Sequence, residues 1–422
     1  IDIAQTIASR KCDLVIVVDC GSQDVNAVKI IKDSGVPVVI FDHHLVDGAP
    51  ASCDTMVNPQ ISGDALSRQL CATAVIWCWA WQNEILPFKD LYKMLDLVAL
   101  ATIADCVSLA SPLNRTLVQN GLAVLRSTPR VGLGILMEKL AIIPSFITEE
   151  DLAMKIIPCL NAAGRLYLAD LAVKILFPGD NLTDCVDKII YLNQKRRNLS
   201  TKILSQVDEI EEEDYQYVLS NSEWVVGVLS SVASRICYSR NAPVALVAPA
   251  GENMRGTLRM PKGADAVAIL KELSPLLATW GGHRLAAGFS VSNANWSELR
   301  DKMEELLSKV VPSEEKEELL CWSPSDLDLK MWKTGEKLGP FGMDNQSPKL
   351  YSPYNGNIEI SPLGKTGKHV KINLGESTLI GFGAAEMVED RASLDGWVYK
   401  PRINTWRNVT TLQHVLDKMV FA

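Results

Sequence analysis

The chain has 422 residues, 47% hydrophobic and 22% charged; at about 150 residues per domain this suggests roughly two to four domains and excludes wholesale disorder, collagen and coiled-coil arrays. The formal charge of −8, from 42 basic and 50 acidic residues, excludes a uniformly basic nucleic-acid coat but not a local basic groove. No run approaches the roughly 18 apolar residues of a membrane span, since the best candidate, 94–110, carries Asp96 and Asp105.

Residues 13–19 (DLVIVVD) form a short apolar run that ends in Asp19-Cys20-Gly21. A helix is expected over 24–34, then a second run, 36–41, ending in Asp42-His43-His44. Continuous β-branched runs point to strands buried on both faces of a parallel sheet. Alternation with helices fits an α/β, doubly wound fold, in which ligands bind at the carboxyl ends of strands. Helices are expected over 65–82, 89–105 and 114–126, where the clustered Trp77, Trp79 and Trp81 read as packing. A mixed stretch, 150–177, contains Leu160–Leu166 (LNAAGRL), and a long helix, 182–210, carries Lys195-Arg196-Arg197 and runs into the acidic stretch 208–214. Both charge runs fit solvated helix faces.

A second α/β unit follows, with strands expected at 224–229, 243–247 and 286–291 and helices at 231–239, 264–277 and 295–309. Gly281-Gly282-His283 reads as a permissive loop and 311–316 as a linker. From about 325, short runs at 356–360, 369–374, 377–382, 396–399 and 409–416 alternate with Gly, Pro and Asn, the pattern of a small β-barrel.

The polar residues that end these strands carry the chemistry. Asp19, Asp42, His43 and His44 fall at carboxyl ends, and Asp105 closes an apolar helix, where a buried acid is costly unless paired or bound to metal. Carboxylate with imidazole suits Mn²⁺ or Mg²⁺, and two such ions about 3.5–4 Å apart can activate water for a phosphoryl displacement. The plainer alternative has Asp42 capping a turn and the histidines as satisfied polar residues. The ten cysteines include no Cys-x-x-Cys pair, so zinc-finger spacing is absent and reduced core thiols are expected.

Val17–Gly21, Phe41–His44 and Val98–Asp105 with Leu109 resemble the second, third and fourth motifs of the DHH phosphoesterase superfamily. Leu160–Leu166, Gly227–Arg235 (GVLSSVASR), Gly281–Gly288 (GGHRLAAG) and Leu338–Pro348 (LGPFGMDNQSP) extend the likeness to its RecJ-type single-strand DNA exonucleases, with their DHHA1 and OB-type domains. The resemblance covers nearly the whole chain, in order. It implies an incomplete DHH domain over 1–180, a linker helix at 181–215, a DHHA1 domain at 216–310 and an OB-like nucleic-acid-binding barrel at 320–422. One departure stands out: the family's first motif, an Asp-x-Asp strand supplying two metal ligands, has no counterpart here. With Ile at position 1 and no signal peptide read, that motif is expected upstream of the chain.

The resemblance implies Asp19, His43 and Asp105 as ligands of Mn²⁺ or Mg²⁺, two ions being expected in the complete site. It makes Asp42 the group that orients an imidazole, and gives His44 contact with the scissile phosphate or a part in proton transfer. Substrate contacts are expected from Asn161 and Arg165, from Arg235 near a helix N-terminus, and from Arg255, Thr257 and Arg259, which alternate on one extended stretch. Gly282 and His283 join them, as do Lys368 and Lys371 in a basic stretch with Lys365 and His369. Trp397, Tyr399 and Trp406 either stack on bases or pack the barrel. The implied activity is metal-dependent 5′-to-3′ hydrolysis of single-stranded DNA in repair and recombination. The implied state is a cytoplasmic monomer working with single-strand-binding protein and a helicase. A small-nucleotide phosphodiesterase and a non-catalytic DNA-binding scaffold are the competing readings.

Overall fold

The computed structural model describes residues 2–10, 12–127, 130–210, 216–313, 318–354, 358–364, 367–385, 394–406 and 409–421. Lys365, most of the acidic run and part of the expected linker lie outside them, as does the side chain of Trp406. The chain divides into two units, Ile1–Pro129 with Met137–Ile157 and Glu317–Ala422, and Arg130–Leu136 with Pro158–Lys316.

The first unit begins with α1 (Asp2–Ser9), β1 (Val15–Val18), α2 (Val25–Asp33), β2 (Val38–Phe41) and β3 (Thr55–Val57). The three strands are parallel, in the order β1-β2-β3. Ala4, Val28, Ile31, Val38 and Ile40 form the core between these helices and the sheet. The expectation of strands buried on both faces holds for β2 but fails for β1, whose Ile16 and Val18 are 57% and 51% exposed. Among the described residues β1 is an edge strand covered on one face only.

Helices follow: α3 (Pro59–Ser62), α4 (Ala72–Gln82), α5 (Phe88–Lys93), α6 (Leu95–Ala104), α7 (Pro112–Ser127), α8 (Val131–Lys139, of which 131–136 belong to the second unit) and α9 (Glu149–Asp151). The expected helix 65–82 starts only at Ala72, and the expected helix 89–105 breaks at Met94. α6 is apolar nearly all round and correspondingly buried. Gly121 of α7 sits so close that a Cβ there would lie 2.3 Å from the Leu95 carbonyl oxygen. Trp77 packs as expected, buried and donating its indole N–H to the Leu91 carbonyl at 2.8 Å, whereas Trp81 is 52% exposed, its ring resting against Trp77 and Phe88.

The second unit holds α10 (Ile157–Leu166, from Pro158 on), α11 (Asp170–Leu176), α12 (Leu182–Asp208), β4 (Val218–Ser220) and α13 (Val226–Arg240). Then come β5 (Val244–Ala250), β6 (Asn253–Arg259), α14 (Ala266–Glu272), β7 (Thr279–His283), β8 (Ala286–Ser292) and α15 (Trp296–Ser308). Its sheet runs β4-β5-β6-β8-β7, with β4 and β5 parallel and the other pairs antiparallel. Two expectations fail here. The strand expected at 224–229 is the first turn of α13, because Val228, Leu229, Val232, Ala233 and Ile236 line one buried helix face; a short apolar run cannot by itself distinguish the two. Gly281-Gly282-His283 is not a loop but the end of β7, with Gly281 opposite Gly288 and His283 opposite Ala286.

The first unit is completed by β9 (Leu320–Cys321), α16 (Leu329–Gly335), β10 (Leu350–Pro353), β11 (Glu359–Leu363), β12 (His369–Asn373), β13 (Thr378–Gly381), β14 (Leu394–Trp406) and β15 (Val409–Phe421). They form one sheet, β11-β12-β13-β15-β14-β10-β9. The runs expected at 396–399 and 409–416 are parts of one long antiparallel pair. The segment 338–345 ties this domain to the helices. Leu109 N–H donates to the Met343 carbonyl at 2.8 Å, Gln119 to Gly339 at 3.1 Å, and Phe341 N–H to Glu149 at 2.8 Å; Arg115 donates to the Leu338 carbonyl. Asn345 holds the segment in shape by donating to the carbonyls of Leu338 and Pro340. Asn345→Ala is therefore expected to cost about 1–2 kcal/mol, read as a lower urea midpoint with an unchanged slope.

Candidate metal centre and phosphate cradle

β1 and β2 end side by side, and the chemistry starts where they stop. Asp19, at the end of β1, adopts φ 63°, a left-handed conformation unfavourable for a residue with a Cβ. Its N–H is held by the Phe41 carbonyl at 2.9 Å, and its carboxylate points to the loop after β2. There His43 Nδ1 lies 3.1 Å from the Leu70 carbonyl. A carbonyl can only accept, so Nδ1 carries the proton and the Nε2 lone pair points the other way. Nε2 lies 3.3 Å from an Asp19 oxygen and 3.4 Å from an Asp105 oxygen, and it is buried with no hydrogen-bond partner among the described residues. Asp105 reaches it from the C-cap of α6, where Cys106 turns the chain at φ 52°.

A lone pair aimed at two carboxylates is repulsive unless a cation joins them. The separations exceed the 2.7–2.9 Å or so of a charge-assisted N–H···O bond. They match the spacing of neighbouring ligands about 2.0–2.2 Å from a shared ion. Asp19, His43 and His44 also place ligand atoms within 4.8 Å of one another. Nearby thiols report the same negative field: Cys20 is pushed up by burial and by Asp24, Asp42 and Asp19, and Cys106 by burial and by Asp105. The residues present thus fit a hard divalent cation of the Mn²⁺ or Mg²⁺ kind.

Asp42 is buried beneath this cluster. Burial pushes its carboxyl upward, but hydrogen bonds from His44 and Ser22 outweigh that and hold it at about 2. It accepts from His44 Nδ1 at 2.8 Å and from the N–H groups of Ser22, His43 and His44. It therefore both shapes the turn and orients His44, so the two sequence readings of Asp42 combine. The His44 side chain is 45% exposed. Two positioning residues escaped the sequence reading. Asn58 donates to Ser22 Oγ and the His44 carbonyl, while Gln60 donates to the His43 carbonyl. Asn58-Pro59 was the available signal, an N-cap followed by proline at N1 of α3.

The second unit carries a cradle of about 530 Å³ of mixed lining, in which Ser230, Arg255, Thr257 and Arg259 stand beside Leu229, Trp280 and Phe289. Alternation places Arg255, Thr257 and Arg259 on one face of β6. The residues opposite, Gly288 on β8 and then Gly281 on β7, leave its floor bare. Arg259 donates to Ser230 Oγ at 2.5 Å, Ser234 Oγ at 2.8 Å and its neighbour's carbonyl. Burial lowers its guanidinium pKa, as does the charge of Arg165. Arg196 on α12 is lowered likewise, by burial and then by Arg165 and Arg197. Asn193 accepts from Arg196 Nε at 3.1 Å. The charge of Arg165 thus bears on both Arg259 and Arg196, a concentration of positive charge that suits an anion. Asn161 and Arg165, one helical turn apart, are both exposed. Thr279 and Ser290, hydroxyls 2.6 Å apart at one end of the same face, escaped the sequence reading, as did Ser230 and Ser234.

Other expected contacts fare differently. Arg235 is exposed, about 100° round α13 from Ser234, and the helix N-terminus expected near it lies at Val226. His283 is exposed at the end of β7, and Gly282 has φ 146°. Lys368 and Lys371 lie at β12 in the first unit. Trp397 and Tyr399 are buried in the sheet's core, which leaves packing as their role.

Three family models match in sequence order: the DHH family N-terminal domain at residues 2–102, the DHHA1 domain at 214–310 and the RecJ OB domain at 321–418. Among curated relatives, the single-stranded-DNA-specific exonuclease RecJ of Bacillus subtilis is 27% identical over 96% of this chain and 53% of its own length. That of Thermus thermophilus is 30% identical over 86% and 53%. The crystal structure of Thermus thermophilus RecJ in complex with Mn²⁺ superposes with a TM-score of 0.85 at 26% identity, covering all of this chain and 63% of that one. An exonuclease RecJ bound to manganese gives 0.60 at 29% identity over 74% and 79%. The chain belongs to the RecJ branch of the DHH/DHHA1 phosphoesterase superfamily, and it spans about half the length of the first two relatives.

Proposed function

We propose that the protein is a metal-dependent exonuclease that hydrolyses single-stranded DNA in the 5′-to-3′ direction. The observation that carries this reading is the buried Nε2 of His43 aimed between the carboxylates of Asp19 and Asp105. These three side chains would hold a divalent ion, Mn²⁺ or Mg²⁺, which when bound supplies an acidified water and neutralises charge on the phosphoryl oxygens. Asp42 fixes the proton on His44 Nδ1 and leaves Nε2 to contact the scissile phosphate or exchange a proton there. Arg165, Arg255 and Arg259, with Asn161, Thr257, Gly282 and His283, bind the phosphates of the strand; Lys368 and Lys371 serve it on the C-terminal sheet. Arg235 is retained as an outer contact only. The domain division that goes with this reading is 1–180, 181–215, 216–310 and 320–422, which the family-model ranges support. Among the described residues no helix is long and apolar enough to cross a membrane. The reading includes a monomer in the cytoplasm acting with single-strand-binding protein and a helicase.

The test is digestion of end-labelled single strands with Mn²⁺. Mononucleotides released from the 5′ label, with duplex spared, are the expected result. Tight binding without release would instead leave a DNA-binding scaffold, and release from short oligonucleotides alone a small-nucleotide phosphodiesterase. Arg259→Ala removes a guanidinium that Ser230 and Ser234 preorganise. It should weaken binding of a 5′-phosphorylated single strand by roughly 10–100-fold, as loss of a charge-assisted contact of about 1.5–3 kcal/mol implies, read as a raised KM with a smaller change in kcat.

A further inference from the structure

Neither constellation above uses the outer face of the β11-β12-β13 sheet. The register pairs Val370 with Gly381 and Lys371 with Ile380, so one step further His369 faces Phe382. Their rings meet edge to face at 5.6 Å and 73°. The His369 ring is held in turn, because its Nδ1 accepts the Gly383 N–H at 2.9 Å. Val370 and Ile372 point into the core while His369, Lys371 and Asn373 share the half-exposed face. On β11, Leu363 lies opposite His369 and Ser361 opposite Lys371. The face therefore reads in rows: Leu363, His369 and Phe382, then Ser361, Lys371 and Ile380, about 7 Å further along the strands. Phe382 is 57% exposed, a large ring held against a second ring rather than buried beneath one. Lys368, also exposed, precedes His369.

An exposed, propped aromatic ring with one lysine, Lys371, in the next row of the same face and a second, Lys368, one residue before the strand is a combination that binds single strands, with bases stacked on the ring and phosphates on the cations. We propose that Phe382, braced by His369, is the base-stacking platform of the C-terminal domain, with Lys371 and Lys368 taking the adjoining phosphates. This rests on the single-strand reading above and assigns the stacking role that buried Trp397 and Tyr399 cannot fill.

The test is fluorescence anisotropy of the whole protein with oligo(dT) and with an abasic oligomer of equal length. Phe382→Ala should weaken oligo(dT) binding about tenfold and leave abasic binding unchanged; Phe382→Trp, which restores a ring, should bind like the parent. Undiminished oligo(dT) affinity in Phe382→Ala overturns the proposal, and so does an equal loss on both oligomers, which would mark a fold or phosphate effect. If the unaltered protein binds neither oligomer, the single-strand reading itself fails.

Discussion

His43→Ala should lower hydrolysis of single-stranded DNA by about a thousandfold or more, the effect of losing roughly 4 kcal/mol of transition-state stabilisation, while oligo(dT) affinity stays within about twofold of the parent. The separation is expected because the proposed phosphate contacts belong to other elements, whereas His43 Nε2 lies within 3.4 Å of both Asp19 and Asp105. Asp105→Asn tests the same centre without relying on turnover. In chelator, Asp19 and Asp105 both press negative charge on one lone pair, so removing one charge should raise the melting temperature slightly. In Mn²⁺ the order reverses: the parent gains about 2.7 kcal/mol when the ion stands at a hundred times its dissociation constant, and the variant gains little. Electron paramagnetic resonance of free Mn²⁺ reads the binding directly. A variant that binds Mn²⁺ like the parent, or melts no higher than the parent in chelator, would remove Asp105 from the centre.

The candidate metal ligands were legible because they interrupt patterns. Asp19 and Asp42-His43-His44 end apolar strands, so the carboxyl-end rule for parallel sheets places them together before any distance is known; Asp105, which ends an apolar helix, joins them through the cost of a lone buried acid and the family resemblance, not through that rule. What was not legible depends on contacts distant in sequence. Asn58 and Gln60 become positioning residues only because β3 delivers them beside the His43–His44 turn. Ser230 and Ser234 become partners of Arg259 only when α13 begins at Val226, and a run of Trp, Val and Leu reads equally as strand or buried helix. Aromatic roles were hardest: Trp397 and Tyr399 look like stacking residues by type, yet the 13-residue pair β14–β15 turns both inward. Phe382, one residue past β13, drew no notice because its exposure follows from register rather than composition. The edge position of β1 was illegible for the same reason, since β1 and β2 carry equally apolar runs.

Gly227→Ala is expected to be strongly damaging although it adds a single methyl group. Alanine is ordinarily the better helix former by about 1 kcal/mol, and Gly227 lies in the first turn of α13, so propensity alone predicts a gain. Sterics reverse the sign. A Cβ there would stand 2.2 Å from the Arg165 carbonyl oxygen, a contact with backbone that no rotamer can relieve. α13 must then move away from the end of α10, at a cost of about 2–3 kcal/mol for overpacking. The movement carries Ser230 and Ser234 with it, so Arg259 loses its anchors, and affinity for a 5′-phosphorylated strand should fall together with the urea midpoint. Gly164→Ala is the matched control on α10. A Cβ there meets only the Ala169 side chain at 3.7 Å, so the urea midpoint should hold or rise, consistent with about 0.5–1 kcal/mol of helix propensity. If Gly164→Ala keeps its stability and still weakens strand binding, the space over Gly164 beside Arg165 is where the strand approaches the backbone. If Gly227→Ala melts like the parent, α10 and α13 are not held in the close contact that sets Arg165 beside the first turn of α13.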